Sequence, residues 1–260
     1  MRRPAAELPF QLVSGYLIQV EGQIGTQNHL RFLLDTGSTM SIVDCRIADG
    51  LKLDSRTTQS FNFDRTLTWR QATFPNVSFG PIRAANITML VGHLEDYSKF
   101  SRSVDAIIGI DLLKSSNFTI DFDTKKVVFH TFNEAIPAAT VDPLSSCIFL
   151  EIRVHGHPIR LIVDTGFHGI LLFEERLNAA VPNLDTQEGP LKVIVGEKLH
   201  AKQTTLRGVA IGSIRRDLIA VLVQSPAADV LPGIVGVAGI PALNARRVNF
   251  NFVEGTISWE

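Results

Sequence analysis

The chain is poor in several residue types. Of its 260 residues, two are cysteine, two tyrosine, two tryptophan and three methionine. Two cysteines, Cys45 and Cys147, exclude a disulfide framework and are too few for a thiolate metal site. Free cysteine packs as a small hydrophobe, so both are expected as buried thiols. An excess of charge of one sign is missing as well. The 25 basic and 26 acidic residues leave a net −1, which gives no electrostatic footprint for nucleic acid or an anionic membrane. Long apolar runs are absent: the longest, Val230 to Leu243, contains two prolines and is too short to span a bilayer, so no membrane insertion is expected. Met1 to Glu7 carries charge with no apolar run behind it, and no signal peptide is visible as given. The expected setting is cytoplasmic, or periplasmic or secreted if the start is processed. No Gly-x-Ser-x-Gly elbow occurs, and Gly233 to Gly239 has the wrong spacing for a dinucleotide loop. His155 and His157 share a turn with no third ligand, so no metal is expected. No cofactor is expected either.

What remains is rich in apolar residues, at 45%, with 16 phenylalanines and many short apolar runs punctuated by Gly, Pro, Asn and Asp. That pattern favours an all-β protein. One stretch occurs twice. Phe32-Leu33-Leu34-Asp35-Thr36-Gly37-Ser38 is restated as Leu161-Ile162-Val163-Asp164-Thr165-Gly166-Phe167. Each reads as a buried strand ending in an Asp-Thr-Gly turn. An apolar-apolar-Gly element follows each: Ala106-Ile107-Ile108-Gly109, and Gly233-Ile234-Val235-Gly236. The glycines lie 109 − 35 = 74 and 236 − 164 = 72 residues beyond the aspartates. Both copies close on similar segments, Phe118 to Phe122 and Val248 to Phe252. An internal repeat of half the chain is the dominant feature, and it keeps one acid in the same place twice.

Asp-Thr-Gly followed by an apolar-apolar-Gly element, present twice, resembles the aspartic peptidases of the pepsin and retropepsin superfamily, and more nearly a fused pair of retropepsin-like units. The resemblance implies a bilobal acid-protease fold made of two similar β-barrel lobes with the active site between them. It implies catalytic Asp35 and Asp164, and Thr36 and Thr165 tying the two loops together through their hydroxyls. Expected boundaries are a tail over 1–9, a first lobe over 10–133, a linker over 134–146 and a second lobe over 147–260. The family's flap falls on Phe61 to Trp69 in the first lobe and Val193 to Leu199 in the second. Phe63, Trp69 and Gly196 are the expected flap or substrate contacts.

The chemistry explains the pair. Amide hydrolysis without a metal or a nucleophilic side chain needs an activated water and a proton for the leaving group. Two adjacent carboxyls cannot both ionise easily, so they share one proton, one acting as base and the other as acid. Gly37 and Gly166 let the backbone turn closely beneath them. At the fourth position Ser38 can hydrogen-bond the neighbouring carboxylate, whereas Phe167 cannot. Asp35 is therefore expected to carry more of the charge and Asp164 more of the proton. Phe167 and His168 put bulk beside the second aspartate, which favours the alternative reading: a catalytically weak or inactive peptide-binding module retaining the fold. The expected partner is a polypeptide substrate, bound by a monomer that needs no second copy.

Overall fold

The computed structural model describes residues 6–62, 65–96, 104–129, 139–141, 147–182, 184, 202–211, 214–226 and 230–260. The first half runs β1 (Ala6–Val13), β2 (Leu17–Ile24), β3 (Gln27–Leu34), β4 (Ile42–Asp44), α1 (Cys45–Gly50), β5 (Ser55–Asn62), β6 (Arg65–Phe79), β7 (Ile82–Gly92), β8 (Ala106–Ile108), α2 (Ile110–Leu113), β9 (Phe118–Asp121) and β10 (Lys126–Phe129). The second half runs β11 (Ala139–Val141), β12 (Ile148–Val154), β13 (His157–Asp164), β14 (Ile170–Phe173), α3 (Glu174–Ala180), β15 (Lys202–Ile211), β16 (Ile214–Val223), β17 (Gly236–Gly239), α4 (Ile240–Leu243), β18 (Arg247–Asn251) and β19 (Thr256–Trp259). The protein is all-β and bilobal, as expected.

Each lobe is a closed ring. In the first, β2 pairs β3, then β8, β4, β7 and β6 follow, and β6 pairs back onto β2. In the second, β12, β13, β17, β14, β16 and β15 repeat the circuit, and β15 returns to β12. Closure leaves no free sheet edge within a ring. The hairpins inside each ring form where the sequence permits left-handed backbone: the β12–β13 tip is His155-Gly156, both with positive φ.

Strand alternation explains where the aspartates point. On β3, Phe32 and Leu34 belong to the barrel core, while Leu33 packs on the other face with Leu17, Leu94, Val104 and Ile107. On β13, Leu161 and Val163 fill the core and Ile162 faces away. Side chains alternate with period two, so Asp35 and Asp164 emerge on the face opposite the core.

Between the rings lies a shared sheet in the order β1–β10–β9–β18–β19–β11. Residues 6–9, within the stretch expected as a tail, and 139–141, within the expected linker, are its two outer strands. At its centre, β9 and β18 pair antiparallel, with Phe118 opposite Phe250, Thr119 opposite Asn249 and Ile120 opposite Val248. The repeat aligns Phe118 with Val248 and Ile120 with Phe250, so the pseudo-twofold axis passes through the Thr119–Asn249 pair. There the Thr119 hydroxyl donates to Asn249 Oδ1 at 2.7 Å. Beside it, the Phe118 and Phe250 rings lie 4.9 Å apart, with Phe252 and Phe129 tilted against Phe118. Aromatic pairs of this kind contribute about 0.5–1.5 kcal/mol beyond their buried area.

One sequence landmark is corrected. Register places Leu33 opposite Ile107 and Leu34 opposite Ile108 in the first lobe, and Ile162 opposite Val237 and Val163 opposite Ala238 in the second. The counterpart of Gly109 is therefore Gly239, and each precedes a short helix. Gly233-Ile234-Val235-Gly236 lies one step upstream. The error has a physical source: Gly236 is also tightly placed, since a Cβ there would overlap the Leu171 carbonyl, so two glycines three residues apart both satisfy the apolar-apolar-Gly pattern.

Candidate active site

The two Asp-Thr-Gly turns meet face to face across the lobes. Thr36 Oγ1 donates to Val163 O at 2.9 Å and accepts from Thr165 N at 3.1 Å. Reciprocally, Thr165 Oγ1 donates to Leu34 O at 2.7 Å and accepts from Thr36 N at 3.0 Å. Both threonines are buried, at 3% and 1% exposure, so each bond is shielded from competing water. The turns are pressed together closely enough to require glycine. A Cβ on Gly37 would overlap the Asp164 carboxyl, and one on Gly166 would lie 2.9 Å from the Asp35 Cγ.

The Asp35 and Asp164 carboxyls hydrogen-bond each other, and their environments differ. Asp35 is half-buried, and its Oδ1 accepts from Gly37 N at 2.9 Å and Ser38 N at 3.1 Å. Burial pushes its pKa up, and the bond from Asp164 and those two amides pull the other way, leaving it raised. Asp164 is 7% exposed and accepts from Gly166 N at 2.6 Å. Burial first, then the charge of Asp35 and the bond to it, hold its pKa well above the usual carboxylate range. The proton they share therefore rests mainly on Asp164.

That is the direction expected from the sequence, with a different cause. The Ser38 hydroxyl does not reach the carboxylate; it donates to Met40 O at 2.7 Å, because the loop turns back on itself and offers a nearer acceptor. The Ser38 backbone amide makes the bond to Asp35 instead. In the second lobe the Phe167 amide lies 3.5 Å from the Asp164 backbone carbonyl rather than on its carboxyl. Phe167 itself is buried in a cluster with Phe149, Ile162, Leu171 and Phe173, so its ring is committed to packing.

The expected flap candidate is a hairpin, β5 paired to β6 as far as Asn62 opposite Arg65. Phe63 and Gly196, with the rest of Val193 to Leu199, lie outside the described residues. Trp69 is buried on β6 with its ring against Gly92, away from the tip. Of the two cysteines, Cys147 is buried, but Cys45 is part-exposed, with its Sγ 3.2 Å from His93 Nδ1. Cys45 opens α1 beside the Asp44 cap, where only one side of the residue meets the core.

Three features escaped the sequence reading. Tyr16, from the β1–β2 turn, packs edge-on against His168 across the lobes, ring centroids 5.1 Å apart, and lies within the field of Asp164. Thr119 and Asn249 sit on the pseudo-twofold axis. Beneath Asp35, buried Ser41 and part-buried Asp111 form a polar link. A signal for the last was available, since Asp111 interrupts an otherwise apolar Ile110–Leu113 run.

Residues 20–112, from within β2 to within α2, match the family model described as aspartyl protease. The match covers the first Asp-Thr-Gly turn and the segment that follows β8, and stops short of the second lobe. The family resemblance read from the sequence stands on this match. Among solved structures, the chain is similar to a crystal structure of a retropepsin-like aspartic protease from Rickettsia conorii. The identity is 16% and the TM-score 0.36, over 50% of this chain and 95% of that one. A search of curated proteins returns no match. Among the described residues, no helix is long and apolar enough to cross a membrane.

Proposed function

We propose that the protein is an aspartic endopeptidase in which Asp35 and Asp164 activate one water against a peptide bond. The observation that carries this reading is the hydrogen-bonded carboxyl pair, held by reciprocal threonine bonds and divided into a more ionised and a more protonated member. Asp35 takes a proton from the water as its oxygen attacks the carbonyl carbon, and Asp164 gives its proton to the carbonyl oxygen. On collapse of the tetrahedral diol, Asp35 passes its proton to the departing nitrogen. Asp164 recovers one from the diol hydroxyl. The pair ends as it began, and no cofactor is consumed.

The substrate is a polypeptide held extended between the lobes, bonded through its main chain beneath the β5–β6 hairpin. Phe63 and Gly196 are proposed to touch it, and Trp69 to support the hairpin from its base. Thr36, Gly37, Ser38, Thr165 and Gly166 hold the loops. Because one chain brings both aspartates, a monomer suffices. The binding-module reading drew on crowding by Phe167 and His168; the Phe167 ring is packed among Phe149, Leu171 and Phe173, and His168 lies against Tyr16.

The test is cleavage of a denatured-proteome peptide library from acid to neutral pH by wild type, Asp35→Asn and Asp164→Asn. Each substitution is expected to lower kcat/KM by about a thousandfold or more. A folded wild type that cleaves nothing at any pH, or a single variant that keeps full activity, would overturn the assignment.

A further inference from the structure

The loop beneath each aspartate is tied to the segment that follows β8 or β17, and the two ties are unlike. In the first lobe, Ser41 is fully buried and gives both its donors to Asp111: the amide at 2.9 Å and the hydroxyl at 2.7 Å. The same hydroxyl oxygen accepts from Gly109 N at 3.0 Å. Ile110 N donates to Ser38 O at 2.8 Å, and Asp35 N to Ile108 O at 2.9 Å. A Cβ on Gly109 would lie 2.7 Å from Ser38 O, so loop and segment are in close contact along their length. In the second lobe the counterparts of Ser41 and Asp111 are Ile170 and Pro241. The equivalent of the Gly109 bond runs from Gly239 N to the Gly169 carbonyl, with no carboxylate behind it.

We propose that Asp111 is a positioning residue for Asp35, acting through Ser41 to hold residues 38–41 so that the Ser38 amide stays on Asp35 Oδ1. Asp111 never touches the substrate. Its carboxylate is the acceptor that fixes Ser41 at one end of the loop, while the amide of Ile110, next to Asp111 in the chain, holds Ser38 O at the other end, whose amide meets Asp35. A donor held on the ionised form favours ionisation, so the brace makes Asp35 the base of the pair. The opposite lobe, which has no such brace, leaves the Phe167 amide off its carboxylate. Among the described residues the titratable groups facing the pair are the aspartates themselves and Tyr16, with His168 behind Tyr16. The brace is a property of the first lobe alone.

This inference rests on the proposed dyad, and its test does not need turnover. Carbon-13 carboxyl NMR titration of the full chain follows the two macroscopic steps of the pair in wild type, Asp111→Ala and Asp111→Asn. The lower step is expected to rise in Asp111→Ala, and to rise less in Asp111→Asn, whose side-chain oxygen keeps one of the two Ser41 donors. Where cleavage is measurable, kcat falls about tenfold in Asp111→Ala with KM little changed, the equivalent of one misaimed hydrogen bond. Asp111→Asn retains the shape of the brace and keeps the test alive if the alanine variant does not fold. A lower step that stays put in a folded variant, even one that melts earlier, overturns the proposal and leaves Asp111 a purely structural residue. A wild type without peptidase activity would defeat the proposed function and leave the titration standing as the test of the brace.

Discussion

Below Asp35 the first lobe is polar: Ser41 and Asp111 brace the loop, and nearby Arg31 and Arg46 close on the buried Asp105 and Asp44. Below Asp164 the second lobe is apolar, with Ile170 and Pro241 in the equivalent places and Phe167 sunk among phenylalanines. On the same lobe part-buried Arg176 donates to the carbonyls of Pro226, Val230, Leu231 and Ile234. What stayed the same is the set whose backbone geometry leaves no choice. Gly37 and Gly166 cannot carry a Cβ, Thr36 and Thr165 complete each other's bonds, and Gly109 and Gly239 lie against the loops. Duplication therefore preserves contact between the lobes and frees each lobe to hold its own aspartate by other means.

The largest break in the comparison is expected at the fourth motif position. Phe167→Ala removes a ring that is 7% exposed from a cluster of large side chains. It should cost about 3–5 kcal/mol, read as a lowered urea midpoint with unchanged slope. A cost below about 1 kcal/mol would mean that the ring faces the cleft and packs nothing.

Next in size comes the threonine exchange, where the lobes are alike. Thr36→Val leaves Val163 O and Thr165 N without partners in a buried site, and Thr165→Val does the same to Leu34 O and Thr36 N. Each should cost about 1–3 kcal/mol, and the two costs should match. Unequal costs would show that one lobe carries the junction. The double variant should fall short of additivity, because both residues belong to one network.

The pair of aspartates predicts a pH dependence. Both carboxyls have raised pKa values in the folded state, so above the ordinary carboxylate range the folded protein holds more protons than the unfolded chain. Stability contributed by the pair then declines as pH rises through that window. Asp164→Asn removes the protonated member, so it should gain on wild type between about pH 4 and pH 7, with the difference vanishing below about pH 3. Asp121 works in the other direction. Burial pushes its pKa up, but the Thr124 amide and Arg247 across the lobe boundary bring it below the usual range, and its contribution is lost as pH falls. That loss is common to both proteins and cancels in the difference. Urea midpoints for both proteins at each end of the range decide it; a gap that widens toward acid contradicts the sign.

Much of this was legible in the chain itself. The repeat and the strand before each aspartate follow from local pattern, because apolar alternation and turn residues act over a few positions. The Thr36–Thr165 link came from family resemblance. What sequence could not show was anything decided by register. Gly236 and Gly239 are indistinguishable until β17 is paired with β13, and Thr119 meets Asn249 only once two strands 130 residues apart are laid antiparallel. Ser38 offered two donors, and only the path of the loop selects which of them Asp35 receives.

The smallest expected effect falls on that serine. If the hydroxyl were the donor that ionises Asp35, Ser38→Ala would raise the acid limb of the pH–rate profile. The hydroxyl instead bonds Met40 O, and the amide that bonds Asp35 survives the substitution. The acid limb should therefore stay in place, with stability lowered by no more than about 1 kcal/mol for the lost loop bond. Set beside Asp111→Ala, this separates two accounts of one asymmetry. A limb moved by Asp111 and not by Ser38 locates the difference between the lobes in how the backbone is braced. A limb moved by Ser38→Ala returns it to the side chain.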